Sequence, residues 1–203
     1  MNLKTIKIKI KGIRPMLHNN GMMADRLYPW KIKLAAIEKT KASKRTDAQW
    51  AEYEQLQWLG KLYWSESRKC IAMPVDNLHA CLVAGARKAK QGKNFEAAVF
   101  FDDEHAAAEV KHALSGKTQS EMYADRDYVF RKPVVIGLAK VISIRPMIPT
   151  GWTISTTITY DDSVIANAET VVEAMVQAGS LCGLGDWRPR FGRFIVESWS
   201  EVK

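Results

Sequence analysis

Ile6, Ile8 and Ile10 alternate with Lys7, Lys9 and Lys11 near the start of the chain. A period of two with β-branched residues predicts a strand with one buried face. The other face is a row of lysines roughly 6.6 Å apart, close to the phosphate spacing of an extended nucleic-acid strand. Gly12 and Pro15 end the pattern. Over residues 74–90 the period changes. Val75, Leu78, Leu82, Ala86 and Ala89 recur at helical spacing, and Arg87, Lys88 and Lys90 suit the negative end of a helix dipole. Period two returns in Lys140–Arg145, with Ile142 and Ile144 inward. It returns again over 152–160, where Trp152, Ile154, Thr156, Ile158 and Tyr160 oppose Thr153, Ser155, Thr157 and Thr159. Asn167 is placed to cap a helix over 168–182 whose apolar face is Val171, Val172, Met175, Val176 and Gly179. Phe191–Trp199 is the last predicted strand.

The intervening stretches carry other signals. Pro29 opens a helical pattern to about residue 42. Thr46 or Asp47 caps a second one bearing Trp50, Tyr53, Leu56 and Trp58. Two short strand-like runs, 62–64 and 70–73, follow. Residues 91–133 show no steady period. With 14–73 and 91–133 set aside as insertions, one domain over 1–203 remains, in the order strand, helix, strand, strand, helix, strand. That predicts an α+β fold with a ferredoxin-like (split βαβ) core and a helical insertion after the first strand. The open sheet face of this arrangement is the surface that RNA-recognition domains use. Ile13-Arg-Pro-Met-Leu17 nearly recurs as Ile144-Arg-Pro-Met-Ile148, which reads as chance or as two similar strand exits.

Charge sharpens this picture. The net charge of the 203 residues is +8. Residues 1–45 hold twelve basic side chains against two acids, leaving eighteen bases and twenty acids for the rest. Basic character concentrated in the first quarter points to a polyanion or an acidic protein surface. No apolar run is long enough for a membrane span, and the Lys/Ile start is not a secretory signal. Cys70, Cys81 and Cys182 are far apart and odd in number, which fits reduced thiols and a cytoplasmic setting.

The densest chemistry is Gly183-Leu-Gly185-Asp-Trp187-Arg188-Pro-Arg190-Phe191-Gly192-Arg193-Phe194. Glycine permits positive φ and close backbone approach. Arginine grips phosphate with paired hydrogen bonds, and Trp187 and Phe191 offer flat faces to unstacked bases. Arg188 and Arg190 flank the stiff Pro189, an arrangement that can bracket one phosphate or two neighbours. Gly185 or Gly192 is expected at positive φ or beneath a passing backbone. The alternative is a tight helix-to-strand turn whose arginines face solvent.

A strand ending in Gly12-Ile13-Arg14-Pro15-Met16-Leu17-His18-Asn19, with this late glycine/arginine loop before the last strand, resembles a group of bacteriophage and prophage proteins. The same plan resembles the RAMP superfamily of CRISPR proteins, in particular the repeated backbone subunit of type I effector complexes. What the resemblance implies is binding of RNA or single-stranded DNA by several copies side by side, as a homo-oligomer or filament. The nucleic-acid-binding residues expected are Lys7, Lys9, Lys11, Arg14, His18, Asn19, Gly183, Gly185, Trp187, Arg188, Arg190, Phe191 and Arg193. The rival is an interaction protein that blocks or joins a host protein complex through basic and aromatic surfaces.

Enzymatic readings fare less well. Some RAMP relatives cut RNA with a histidine as general acid or base, and His18 is the one histidine placed for it. A metal-independent ribonuclease is therefore a third reading beside a non-enzymatic binder. Ser115-Gly-Lys117-Thr118 matches the end of a phosphate-binding loop, but Lys111 stands where the motif needs glycine. No cluster has metal-ligand spacing and no cofactor is implied.

Overall fold

Ile6, Ile8 and Ile10 are buried on one face of a ten-residue strand, as their alternation requires. The computed structural model describes residues 2–102 and 107–202. In chain order its first elements are β1 (Leu3–Gly12), β2 (Met16–Leu17), α1 (Pro29–Glu38), α2 (Asp47–Lys61), β3 (Trp64–Ser65), β4 (Cys70–Pro74), α3 (Val75–Ala86), α4 (Gly92–Ala98) and β5 (Val99–Asp102). Next come β6 (Ala107–Lys111), α5 (Gln119–Ala124), β7 (Val129–Ile136), β8 (Ala139–Ile148), β9 (Thr153–Asp161), α6 (Ala168–Gln177) and β10 (Phe194–Val202). The protein is thus mixed α and β with antiparallel sheets. It divides into two compact units. The first comprises residues 1–16, 64–115 and 149–203, and the second residues 17–63 and 116–148.

The first unit is built on a sheet of order β10-β1-β9-β6-β4-β3, with β5 also pairing β9. β1 lies inside this sheet. Its lysines therefore stand on an inner strand and not at a sheet edge. Ile6 pairs with Ile158 and Ile10 with Ile154, placing four isoleucines on one face with Tyr160, all buried. Leu78 and Leu82 of α3 and Val171 and Met175 of α6 are buried core residues of the same unit. The two helices meet where Gly85 lacks a side chain, since a Cβ there would stand 2.2 Å from the Ala174 carbonyl oxygen. Asn167 caps α6 as expected, accepting the Thr170 N–H at 2.9 Å.

One expected strand belongs elsewhere. Lys140–Arg145 is a strand, but as part of β8 it pairs with β7 in the three-stranded sheet β2-β8-β7. Beside β9, its expected place is taken by β5 and β6, which lie in the 91–133 stretch. Strand alternation specifies a buried face and not a partner, so the sequence pattern left this choice open.

In the second unit, Trp58 of α2 is fully buried and its indole N–H donates to the Tyr128 carbonyl at 2.8 Å. Thr46 and Gln49 form a reciprocal capping box at the start of α2. Thr118, the end of the partial phosphate-binding motif, instead caps α5 together with Glu121. Among the described residues no helix is long and apolar enough to cross a membrane, and no His/Cys/Asp/Glu group is arranged to hold a metal.

Candidate nucleic-acid interface

The glycine/arginine loop starts where α6 widens into a π turn over Ala178–Cys182. Gly183 ends that turn at φ 76, and its N–H donates to the Ala178 carbonyl at 2.8 Å. The Cys81 thiol of α3 donates to the Gly183 carbonyl at 3.2 Å, and burial pushes that thiol's pKa up to about 12. A thiol that stays protonated remains a donor, so this contact ties the loop to α3. Gly185 and Gly192 both have positive φ, 87 and 72, as the sequence requires. A Cβ on Gly192 would lie 1.7 Å from the Leu184 carbonyl oxygen, so a second backbone does pass there.

Backbone bonds close the loop on itself and onto the segment that follows β1. Leu184 N–H donates to Gly192 O at 2.9 Å, Gly192 N–H to Pro15 O at 2.7 Å, and Ile13 N–H to Arg193 O at 2.9 Å. Trp152 reinforces the junction, its indole N–H donating to the Arg14 carbonyl at 2.9 Å. Its ring lies against Gly12, where a Cβ would come within 2.1 Å of it. Residues about 180 positions apart in sequence are thereby held side by side.

The result is a cleft of about 380 Å³ lined by Arg14, Pro15, Pro189, Arg190, Phe191 and Arg193. Three arginines line this one space, with no carboxylate among its described lining. Neither these three arginines nor Arg188 has an ion-pair partner among the described residues. The Arg190 guanidinium lies 5.8 Å from the Phe191 ring centre, and the Trp187 ring is 6.5 Å from it. Trp187 itself sits at φ 53, a conformation rare for a bulky residue and a frequent mark of functional loops. The Arg188–Pro189 peptide is cis. Arg190 lines the cleft, whereas Arg188 is exposed outside that lining.

The lysine row is also on the first unit. Lys7 and Lys11 are exposed and Lys9 is half-buried. Glu197 pairs with Lys9 at 2.6 Å and with Lys11 at 3.6 Å, and the Lys9 contact holds the Glu197 carboxyl below its usual pKa. Glu197 is the extra residue of a bulge in β10, since Lys9 pairs with Ser198 and Ile10 with Val196. Hydroxyls flank the lysines in register: Ser155 and Ser198 beside Lys9, Thr157 and Ser200 beside Lys7. Lys111 joins the same face opposite Thr153, itself beside Lys11. Lys111 was missed because its strand shows no period. The hydroxyls on β9 were visible as the polar half of its alternation.

His18 and Asn19 lie in the second unit. Asn19 is exposed, and its carbonyl accepts the Tyr63 hydroxyl at 3.3 Å. His18, expected in an open basic loop, is fully buried. Its Nδ1 accepts the Tyr63 N–H at 3.3 Å, and the Tyr63 ring lies 5.1 Å away. A covering residue 45 positions further on gives no local signal. Gly183 is buried too, so its part is to shape the loop. His105 is outside the described residues.

No family model and no curated protein matches the sequence. Among solved structures, the fold is similar to a chain from the cryo-EM structure of a type III-B Cmr-beta complex bound to cognate target RNA, with a TM-score of 0.56 and 10% identity. The match covers 99% of this chain and 61% of that one, so the protein spans only part of the length of its neighbour. At this identity the likeness is one of fold.

Proposed function

We propose that the first unit binds single-stranded nucleic acid, RNA or DNA, mainly through its phosphates. One observation carries this reading. Arg14, Arg190 and Arg193 converge on a cleft without an acid among its described lining, and none of them has an ion-pair partner among the described residues. Converged guanidinium groups repel one another, and an incoming phosphate relieves that repulsion with paired, charge-assisted bonds. Phe191 and Trp187 stand beside the cleft to stack or wall a base. Lys7, Lys9, Lys11 and Lys111 extend the positive surface across the sheet. The sheet order β10-β1-β9 with α3 and α6 supports a ferredoxin-like core. The likeness of fold to a chain of the type III-B Cmr-beta complex bound to cognate target RNA supports this reading. On the resemblance read from the sequence the protein is a bacteriophage- or prophage-encoded, cytoplasmic binder that works as several copies side by side. The buried His18 is removed from any solvent-borne phosphate, which speaks against the ribonuclease reading that relied on it.

The alternative of a protein that joins or blocks a host complex draws on the hairpin β7–β8, where Val135, Leu138 and Ile142 are exposed. Exposed apolar side chains grouped on one hairpin suit a protein partner.

The test is the double variant Arg14→Ala with Arg190→Ala. Charged hydrogen bonds contribute about 1.5–3 kcal/mol each with imperfect additivity, so the variant should lose about 2–4 kcal/mol of affinity for a labelled oligonucleotide, at an unchanged melting temperature. A variant that binds normally and melts earlier would make the arginines structural and reject the site.

A further inference from the structure

On α2, Trp50, Tyr53, Glu54, Gln57 and Lys61 recur at three- and four-residue spacing and so share one helix face. Across a cavity of about 560 Å³, that face meets Lys140–Ile144 of β8 and Val134 of β7, all within the second unit. The volume is typical of small-molecule sites. Trp50 and Tyr53 form an aromatic wall in edge-to-face contact, ring centres 5.7 Å apart. On the β8 side, Val141 and Ile142 remain 39% and 50% exposed, apolar surface that an apolar ligand body would cover.

The charges around the cavity favour an anion. The Arg45 guanidinium lies over both aromatic rings, 4.7 Å from Trp50 and 4.9 Å from Tyr53, with its Nε donating to the Thr40 carbonyl. Lys61 reaches Ile144 O at 2.8 Å and Gln57 Oε1 at 3.1 Å. Lys140 is exposed and has no ion pair among the described residues. Glu54, the acid in the lining, is gripped by both terminal nitrogens of Arg131, one of them at 2.8 Å. Glu38 is outside the lining, accepts the Tyr53 hydroxyl at 3.2 Å and pairs with Lys31. Both nearby carboxylates are thus occupied, while three cations border an apolar, aromatic-walled space.

We infer that the second unit holds a site for a small planar anion, a flat apolar ring system bearing a carboxylate, sulfonate or phosphate. The ring lies between Trp50 and the Val141–Ile142 surface, and the acid group meets Lys140 at the mouth. The site is independent of the nucleic-acid reading, which rests on the first unit.

The probe is 1-anilinonaphthalene-8-sulfonate, whose fluorescence rises on entering apolar surroundings. The expected result is saturable binding at one site. Naphthalene-2-carboxylate or adenosine monophosphate should displace the probe, and the uncharged naphthalene-2-carboxamide should do so much less well. The two anionic competitors separate an aromatic acid from a nucleotide as the source of the chemistry. Lys140→Glu, at an exposed position, should weaken the probe roughly two- to fivefold, as losing one exposed ion pair implies. Trp50→Leu should weaken naphthalene-2-carboxylate while leaving the melting temperature near that of the wild type. Absence of saturable binding, equal displacement by the carboxamide, or affinity unmoved in both variants would overturn the inference.

Discussion

Replacing Gly192 by alanine tests whether the loop exists as a single closed device. The added methyl would meet three backbone atoms of Leu184: the oxygen at 1.7 Å, the carbonyl carbon at 2.7 Å and the nitrogen at 2.8 Å. No side chain can swing aside to relieve these contacts. The φ of 72 adds about 1–2 kcal/mol for any L-residue. Escape requires the two loop segments to part, breaking Leu184 N–Gly192 O and Gly192 N–Pro15 O, at about 0.5–1.5 kcal/mol each. Together these terms come to about 2–5 kcal/mol. At about 2–4 °C per kcal/mol for a protein of this size, the melting temperature should drop by roughly 4–20 °C. Gly151→Ala is the control. Its φ of 97 is equally left-handed, but open space surrounds its Cβ position, so it bears the φ cost alone. Differential scanning calorimetry of both variants, with oligonucleotide binding on the same samples, separates strain from collision. Equal melting of the two variants, or a Gly192→Ala protein that melts with the wild type, would refute the loop closure described here.

Burial lowers the His112 pKa from 6.5 to about 4, and its Nδ1 accepts the Leu114 N–H at 3.3 Å, a role open to the neutral ring. The unfolded chain takes up this proton first, so stability present above pH 6.5 should fall as pH drops towards 4. His112→Gln should flatten that part of a urea-denaturation pH profile, and an unchanged profile would exonerate His112. Lys7, unlike Lys9 and Lys11, has no ion pair among the described residues, so Lys7→Gln should flatten the log–log salt dependence of oligonucleotide binding by about 0.7. Equal slopes for wild type and variant would show that Lys7 only solubilises the sheet. Trp58→Phe removes the indole N–H that donates to the Tyr128 carbonyl and should destabilise by about 0.5–1.5 kcal/mol, read from chemical denaturation.

The elements most legible in the sequence were those with steady periods and clear caps. β1 ends at Gly12, where a side chain would collide with Trp152, and α6 starts after Asn167 because that amide oxygen accepts the Thr170 N–H. The last strand begins at Phe194 and not at the expected Phe191, since the loop runs on through the positive φ of Gly192. The 91–133 stretch hid β5 and β6, which span four and five residues, too few to establish a period. Pairing was the main thing the sequence pattern could not convey, as β8 shows. Within the cleft, Arg190, Phe191 and Arg193 were legible as neighbours in sequence. Their meeting with Arg14 depends on the bonds from Ile13 and Gly192, which no local spacing encodes. The burial of His18 escaped for the same reason.

The pairing of β1 with β10 also has a consequence in time. Thr5 lies opposite Val202, and Gly12 opposite Phe194. β1 leaves the ribosome well before β10 and must wait through the intervening elements for this second neighbour. Such long-range closure is slow, because its entropy is lost before any contact rewards it. Until then the basic first quarter is an unpaired polycation, able to attract polyanions without discrimination. The cleft cannot exist until Arg193 reaches Ile13, so it forms only in a chain whose synthesis has passed the loop.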